Sequence, residues 1–316
     1  SSCASRVPQA RQLRALNPAA AEHLSEAERF AFELAAHPRL RPMLDALASV
    51  HSLPPSIAKA SAALDAVCAA ARAATRSAAL GALFEALLTH GNFLNANTPR
   101  GGAAGVTFDS LPKAAAHRSR DGKTTLVRHV VGALGLNFGE KLRAELGGAL
   151  AAAVKMPVVD LLLLVKEVQL GWRAIEQELA LCPVDDLEAD LDLDADLAGE
   201  ARDGAGAPRG ADALLGRRFR AVIGQFVADA AMRVTELGAK QAEAKEQLSG
   251  LATFLGEDPN CADPDAMLRA LASLTKAVDT AVDEAARLER QRAATAAMPR
   301  IGRAKSMPVR GGGGRG

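Results

Sequence analysis

The chain has 316 residues and a formal net charge of +1, so its charge gives no reason to expect a nucleic-acid partner. Hydrophobic residues make up 49% and charged residues 24%, which is typical of a globular protein and excludes a wholly disordered one. The four cysteines form no CxxC pair, which favours reduced thiols in a cytoplasmic protein over a disulfide framework or a zinc site.

The first third of the chain is predicted to be helical up to a Gly/Asn/Pro-rich connector at 95–105. A capping box at Ser25 begins one helix. A second, short helix carries the apolar positions of 40–50, and Pro54-Pro55 is expected to end it. A long Ala- and Leu-rich helix then occupies 56–91, with its final glycine as the C-cap.

Helical patterning resumes near 121–123 and is interrupted at 137–140. Pro157 is expected in the first turn of the next helix, which runs to Leu181. The start of this helix is apolar nearly all round, so we expect it to be buried. The longest apolar run, 157–165, is far too short to span a bilayer, so no integral membrane segment is predicted.

The second half of the chain contains the longest helices. An acidic stretch and a Gly/Pro-rich mobile loop occupy 185–210. A helix over 212–255 would be roughly 65 Å long and needs a partner for its apolar stripe. The last helix begins at 263–265, close enough for antiparallel packing. A disordered basic tail is predicted over 292–316. The predicted fold is all-α, an elongated helical bundle with long antiparallel coiled-coil-like helices.

The residues offer no case for an enzyme, a cofactor or a metal site. Asp121-Gly122-Lys123-Thr124 ends like a phosphate-binding loop, but His117 stands where that motif requires its first glycine. The alternating aspartates from Asp190 resemble a calcium loop, but Ala195 stands at its required glycine. The histidines lack metal-ligand spacing, and no Ser/His/Asp or Cys/His arrangement can be argued.

Several blocks of the sequence resemble, in order, those of the formin homology 2 domain. The central block is Gly91-Asn92-Phe93-Leu94-Asn95-Ala96-Asn97-Thr98-Pro99-Arg100-Gly101, which is similar to the family's GNYLN-x-G-T-x-R-G. The other blocks are 24–30 and 37–40 (L-x-x-A-E-x-F and I-P-x-L), 105–111 (GF-x-L-x-x-L), 118–126 (K-x-x-D-x-K-T-T-L-L) and 254–258 (Y-F-G-E-D). The resemblance covers about 24–291.

This resemblance implies a helical, elongated, dimeric domain of the cytoskeleton that nucleates actin filaments and stays on the growing barbed end. It implies that the partner's lasso docks on the surface formed by Gly91, Asn92, Phe93, Leu94 and Asn95. Arg118 matches the family's actin-binding lysine, and Lys123 matches another basic position of the same motif. Profilin-bound actin would be engaged through regions outside this chain.

The resemblance also implies a domain organisation. Residues 24–291 would form the three-helix region and the post, after a lead-in at 1–23 that ends a truncated knob. The lasso would precede Ser1, so we expect this chain alone to be monomeric, with the homodimer requiring the lasso. Two alternatives remain open. One is a scaffold that kept the fold and lost actin activity, which is suggested by Ala114-Ala115-Ala116-His117 and Arg118. The other is a coiled-coil membrane-binding module, which is suggested by the long helices and the basic tail.

Overall fold

The structure, a computed structural model, describes residues 25–27, 29–30, 39–182 and 211–297, and within these ranges it is all-α, as predicted. The predicted lead-in, the segment 185–210 and residues 298–316 of the basic tail lie outside the described residues. From Leu40 onward the described α-helices are α1 (Leu40–Arg76), α2 (Ala78–Leu94), α3 (Ser110–Ala116), α4 (Leu126–Leu134), α5 (Leu136–Leu142), α6 (Gly148–Ala153), α7 (Val158–Ala180), α8 (Ala211–Phe254) and α9 (Pro264–Ala297).

Helix α1 contradicts the prediction that Pro54-Pro55 ends a helix, because it runs through both prolines. Each proline removes the N–H that would bond the carbonyl four residues earlier. One of those carbonyls belongs to His51, an exposed residue that water can reach. On either side of the prolines, Leu53 and Ile57 are buried. Tertiary packing of these side chains therefore holds the helix together across the break in hydrogen bonding.

The long helix predicted over 56–91 is two helices. Ser77 separates them and caps α2, because its hydroxyl oxygen accepts a hydrogen bond from the N–H of Leu80 at 2.9 Å. Gly91 is not the C-cap that the sequence predicted, since α2 continues to Leu94 and Asn95 occupies the cap position. The predicted interruption at 137–140 is also displaced, to Gly135, whose φ of 92° suits glycine.

The described residues form two compact units. Unit 1 comprises those of Ser1–Arg72 and Ala152–Leu251, and its long helices are most of α1, α7 and most of α8. Helix α7 is antiparallel to α8: Gln169 bonds Gln241 at 3.2 Å, while Arg220 donates to the carbonyls of Leu179 and Cys182 at 2.7 and 2.9 Å. Unit 1 therefore contains long antiparallel helices of the predicted kind, although the pair is α7 with α8 and not the predicted pair of α8 with the last helix.

Helix α7 also runs antiparallel to α1 and is only half buried. Arg39, next to the start of α1, pairs with Glu178 near the end of α7 at 2.9 Å, and Leu53, further along α1, lies against Gly171, earlier in α7. The core face of α7 carries Trp172 and Ile175. The expectation that its apolar start is wholly buried is wrong, because the opposite face leaves four large apolar side chains exposed. These are Val159, Leu162, Leu163 and Leu170.

Unit 2 comprises the described residues of Ala73–Ala151 and Ala252–Gly316. The sequence predicted that the preceding long helix packs against α9. Within unit 2, α9 packs against α3, α4, α5 and a π-helical turn at Arg143–Gly147. Arg143 links this turn to α9 through ion pairs with Asp279 at 2.8 Å and Asp283 at 3.1 Å. Helix α9 continues to Ala297, past the predicted start of the basic tail.

Candidate functional site

The connector after α2 is an ordered turn built on the Asn95 carbonyl. This oxygen accepts hydrogen bonds from the Thr98 hydroxyl at 2.7 Å and from the Thr98 N–H at 3.0 Å. Gly101 then donates its N–H to the Thr98 carbonyl at 3.0 Å. A Cβ at Gly101 would lie 2.6 Å from the Asn95 carbonyl oxygen, so the turn requires glycine there. Asn97 takes the left-handed conformation, with φ of 65°, that asparagine tolerates better than most residues.

The side chain of Asn92, at the end of α2, forms hydrogen bonds with the connector near its end. Its side-chain Nδ2 donates to the Ala103 carbonyl at 2.9 Å, and its Oδ1 accepts from the Ala103 N–H at 2.8 Å. The amide thus satisfies both polar backbone groups of one residue, which a carboxylate or a hydroxyl cannot do in the same way. The Asn92 side chain therefore fixes the connector near its end, and the backbone carbonyl of Asn95 fixes it at its beginning.

This connector forms one wall of an open groove of about 720 Å³ in unit 2, which we call the apolar groove. Helices α2, α3 and the start of α4 complete it. Its large apolar lining side chains are Leu87, Leu88, Leu94, Val106 and Leu126. Arg100, Lys113 and His117 also line it, and none of its described lining residues is Asp or Glu. The groove can therefore accept an apolar segment, and its electrostatics favour one that carries negative charge.

Four of the five residues predicted as a docking surface line the apolar groove: Gly91, Asn92, Leu94 and Asn95. Gly91 faces open space, since nothing lies within 4 Å of the position a Cβ would occupy. Leu94 is 57% exposed although it is apolar. Phe93 is not part of the lining, but it is 80% exposed, an unusual state for a large aromatic ring. The structure brings four of these residues together and leaves Phe93 on the adjoining surface.

The segment 118–125 is a small hairpin, and α4 begins after it at Leu126 rather than near 121–123. The N–H of Ser119 bonds the Thr124 carbonyl at 2.7 Å, and Gly122 makes the turn with φ of 70°. The carboxylate of Asp121 accepts from the Ser119 hydroxyl at 2.5 Å and from the Lys123 N–H at 3.1 Å. These hydrogen bonds, that of Ser119 first, hold the pKa of Asp121 below its ordinary value.

A second open groove, of about 470 Å³, lies between this hairpin and α9, and we call it the basic groove. Its charged lining residues are Arg118, Lys123, Arg128, Glu284 and Arg287. Arg118 and Lys123, the two predicted basic site residues, are both exposed and both line this groove. Arg128 is engaged by Glu284, with 3.1 Å between Nη1 and Oε2.

Sequence reasoning missed the α9 side of the basic groove and much of the apolar groove. Glu284 and Arg287 lie more than 150 residues from the hairpin, and they belong to a helix whose charges look like an ordinary solvated face. No local pattern could have identified them. Helix α3 lies between the two grooves, since its Ala114 lines the apolar groove and its Ala115 lines the basic groove.

Among the described residues, no group of three or more His, Cys, Asp or Glu side chains could hold a metal ion. No single described helix is long and apolar enough to cross a membrane, and one bent helix pair, 137–153 with 158–180, passes by length and composition only.

Most of the described fold, up to residue 279, matches one known family. The sequence profile of the Formin Homology 2 Domain matches residues 4–279. Formin-like protein 14 of Arabidopsis thaliana is 26% identical over 238 residues, which are 75% of this chain and 17% of that protein. Formin-like protein 7 of Oryza sativa subsp. japonica is 25% identical over 281 residues, which are 86% of this chain and 18% of that protein.

An animal protein shows the same relation over a shorter segment. Disheveled-associated activator of morphogenesis 2 of Gallus gallus is 31% identical over 161 residues, which are 50% of this chain and 15% of that protein. The chain spans less than a fifth of the length of each of these relatives. Since the family profile matches well over half of its residues, the chain belongs to the Formin Homology 2 Domain family.

Proposed function

We propose that this chain is a non-enzymatic, formin-type actin-assembly domain of the cytoskeleton, which nucleates filaments and caps the growing barbed end as a dimer. The observation that carries the proposal is the convergence of Gly91, Asn92, Leu94 and Asn95 on one preformed apolar groove. Motif residues that served the fold alone would be expected to pack inward. Profilin-bound actin would be brought to the domain by regions outside this chain.

The apolar groove is the proposed docking surface for the lasso of the partner chain in the homodimer. Its connector wall is held by the hydrogen bonds of Asn92 and Asn95, so little ordering is required when a segment binds. The open space at Gly91 lets a foreign backbone approach closely. Phe93, beside the groove, offers an aromatic ring of the type that often anchors protein interfaces.

The hairpin residues Arg118 and Lys123 are the proposed actin contacts. Both side chains are exposed, and the hydrogen bonds of Ser119 and Asp121 hold the loop that presents them. Arginine keeps the charge of the family's lysine but binds carboxylates in a planar, two-pronged geometry. Contacts of this kind are screened by salt over about 10 Å at 0.1 M ionic strength.

We further propose that unit 1 corresponds to the family's three-helix region and unit 2 to its post, within a domain that spans about 24–291. The three long helices α1, α7 and α8 support the first assignment. The position of both grooves within unit 2 supports the second.

Bulk assembly of actin monomers, together with filament co-sedimentation at low and moderate salt, tests the proposed activity on a chain that includes the family's lasso, because this chain alone is expected to be monomeric. We expect faster assembly or altered end growth, and pelleting that weakens as salt rises. Arg118→Glu/Lys123→Glu should abolish the effect. The matched control is Arg269→Glu/Lys276→Glu, which makes the same charge change on exposed residues of α9 outside both grooves.

Three outcomes would contradict the proposal. Absence of any effect on assembly and of pelleting at either salt would leave a formin-type fold without actin activity. Binding to anionic vesicles without an actin effect would favour the membrane-binding alternative. Equal loss in both charge-reversed variants would remove the assignment of Arg118 and Lys123. For the dimer, light scattering of a chain that includes the family's lasso should give a dimer, and Leu94→Arg should reduce it to a monomer.

A further inference from the structure

We propose that the basic groove takes an acidic segment of actin between the hairpin and α9, with Arg287 as a third recognition residue and Glu284 as a residue that weakens binding. This inference rests on the proposed function and specifies the chemistry of its actin contact. The recognised element is a carboxylate-rich helix or loop on the filament surface.

The cations of this groove differ in whether their charge is already engaged. Among the described residues, the guanidinium of Arg118 bonds only a carbonyl of its own hairpin, that of Gly122, at 3.4 Å. Within the part of the chain that the structure describes, Lys123 and Arg287 form no ion pair, and both are exposed. Three positive charges from two separate elements therefore face one groove, and none of the three is held in an ion pair with a described carboxylate.

Glu284 is the only acidic residue among the described lining residues of this groove. It holds Arg128 through the 3.1 Å ion pair, and its carboxylate is 52% exposed. An acidic ligand would meet repulsion from Glu284 and would find Arg128 already occupied. Loss of this carboxylate should therefore release a fourth cation and strengthen binding.

The α9 wall of the groove has room for a ligand because its inward positions are small. Ala277, Thr280 and Ala281 line the groove between the hairpin and Arg287. Ala281 is buried and lies six residues before Arg287 on the same helix, so it packs this part of α9 against the rest of unit 2. A carboxylate that enters between the two walls can therefore reach guanidinium groups on both sides, an arrangement that favours charge-assisted hydrogen bonds.

The test compares four proteins in filament co-sedimentation at low salt: the unaltered chain, Arg287→Glu, Glu284→Gln and Arg290→Glu. Arg290 lies three residues after Arg287 on the same exposed helix end and does not line the groove, so its variant is the matched control. Arg287→Glu should weaken filament affinity about tenfold, and Glu284→Gln should strengthen it about threefold. Arg290→Glu should stay within about twofold, and all differences should shrink as salt rises.

A second arm uses a fluorescein-labelled hexaglutamate peptide in place of actin, and fluorescence anisotropy should give the same order of affinities. Actin binding that is lost in Arg118→Glu/Lys123→Glu but unchanged in Arg287→Glu and Glu284→Gln would overturn this inference and leave the proposed function standing. Peptide binding in the expected order without any actin binding would show that the groove binds acidic segments, but it would reject both actin as the partner and the proposed function. A gain of affinity in Glu284→Gln cannot arise from partial unfolding, which keeps the test decisive if Arg287→Glu folds poorly.

Discussion

Replacement of Asn92 should loosen the connector that walls the apolar groove. In Asn92→Ala the Ala103 N–H and carbonyl both lose their partner. A hydrogen bond of this type contributes about 0.5–1.5 kcal/mol, and the site is half exposed, so the lower part of that range applies to each bond. The free energy of opening the connector should fall by about 1–2 kcal/mol. Exchange of the Ala103 amide hydrogen should accelerate about 5- to 30-fold.

Asn92→Asp tests the same two hydrogen bonds to Ala103 through the pH dependence of stability. Its carboxylate can still accept from the Ala103 N–H, but at neutral pH it faces the Ala103 carbonyl oxygen without a proton to donate. The charged form is disfavoured in the folded state, which raises the folded-state pKa above the unfolded one. The destabilisation is therefore full at neutral pH, is relieved as pH falls through the raised folded-state pKa, and is gone below about 4, the ordinary pKa of aspartate.

Hydrogen exchange measured by NMR at pH 7 and near pH 4 checks both variants. Asn260→Ala is the matched control, because Asn260 hydrogen-bonds Asp258 in a different loop. An Ala103 exchange rate in Asn92→Ala within twofold of the rate in the unaltered chain would refute this role of the Asn92 side chain. The same conclusion would follow if the exchange rates of Asn92→Asp and the unaltered chain differed by the same factor at both pH values.

Three further predictions concern the fold and its thiols. Ser77→Ala should lower the free energy of unfolding by about 1–2 kcal/mol in urea titration, because α2 loses its N-cap, and an unchanged midpoint would contradict this. Gly139→Ala should cost about 1–3 kcal/mol, since a Cβ there overlaps Val282 of α9, and Val282→Ala in the same chain should restore much of the loss. Iodoacetamide should label exposed Cys261 in the folded protein but spare Cys68, which is buried and whose pKa burial raises; equal labelling by peptide mass mapping would disprove this.

Local signals sufficed for the longest elements of the fold. Helix α8 was predicted over 212–255 and extends over Ala211–Phe254, because its three/four apolar spacing ends at Gly256, which has a positive φ of 76°. The start of α9 was equally clear, since Asp263 accepts from the N–H of Asp265 at 2.9 Å, an ordinary capping bond. Where propensity and tertiary packing agree, a single sequence is enough to place a helix.

The errors arose where packing or distant residues decide the outcome. The proline pair in α1 reads as a helix end until the burial of its neighbouring apolar side chains is known. The apolar start of α7 predicts a core segment, yet Val159 and Leu163 are 60% and 55% exposed. The prediction failed because apolar composition alone does not indicate which face of a helix packs against a neighbour. The motif around Asn92 pointed to the apolar groove. Nothing local pointed to Glu284 and Arg287, since only the fold brings α9 to the hairpin.

The position of α3 has a thermodynamic consequence for the two grooves. This helix has seven residues, of which Leu111 is buried. Its Ala114 lines the apolar groove, and its Ala115 lines the basic groove. A ligand that shifts or rigidifies α3 from one side necessarily alters the surface seen from the other side. By linkage, the two occupants then change each other's affinity by the same factor. Under the proposed function, lasso docking in the apolar groove and actin binding in the basic groove would form one coupled equilibrium, whose sign would depend on the size of the side chains at two neighbouring alanines of α3.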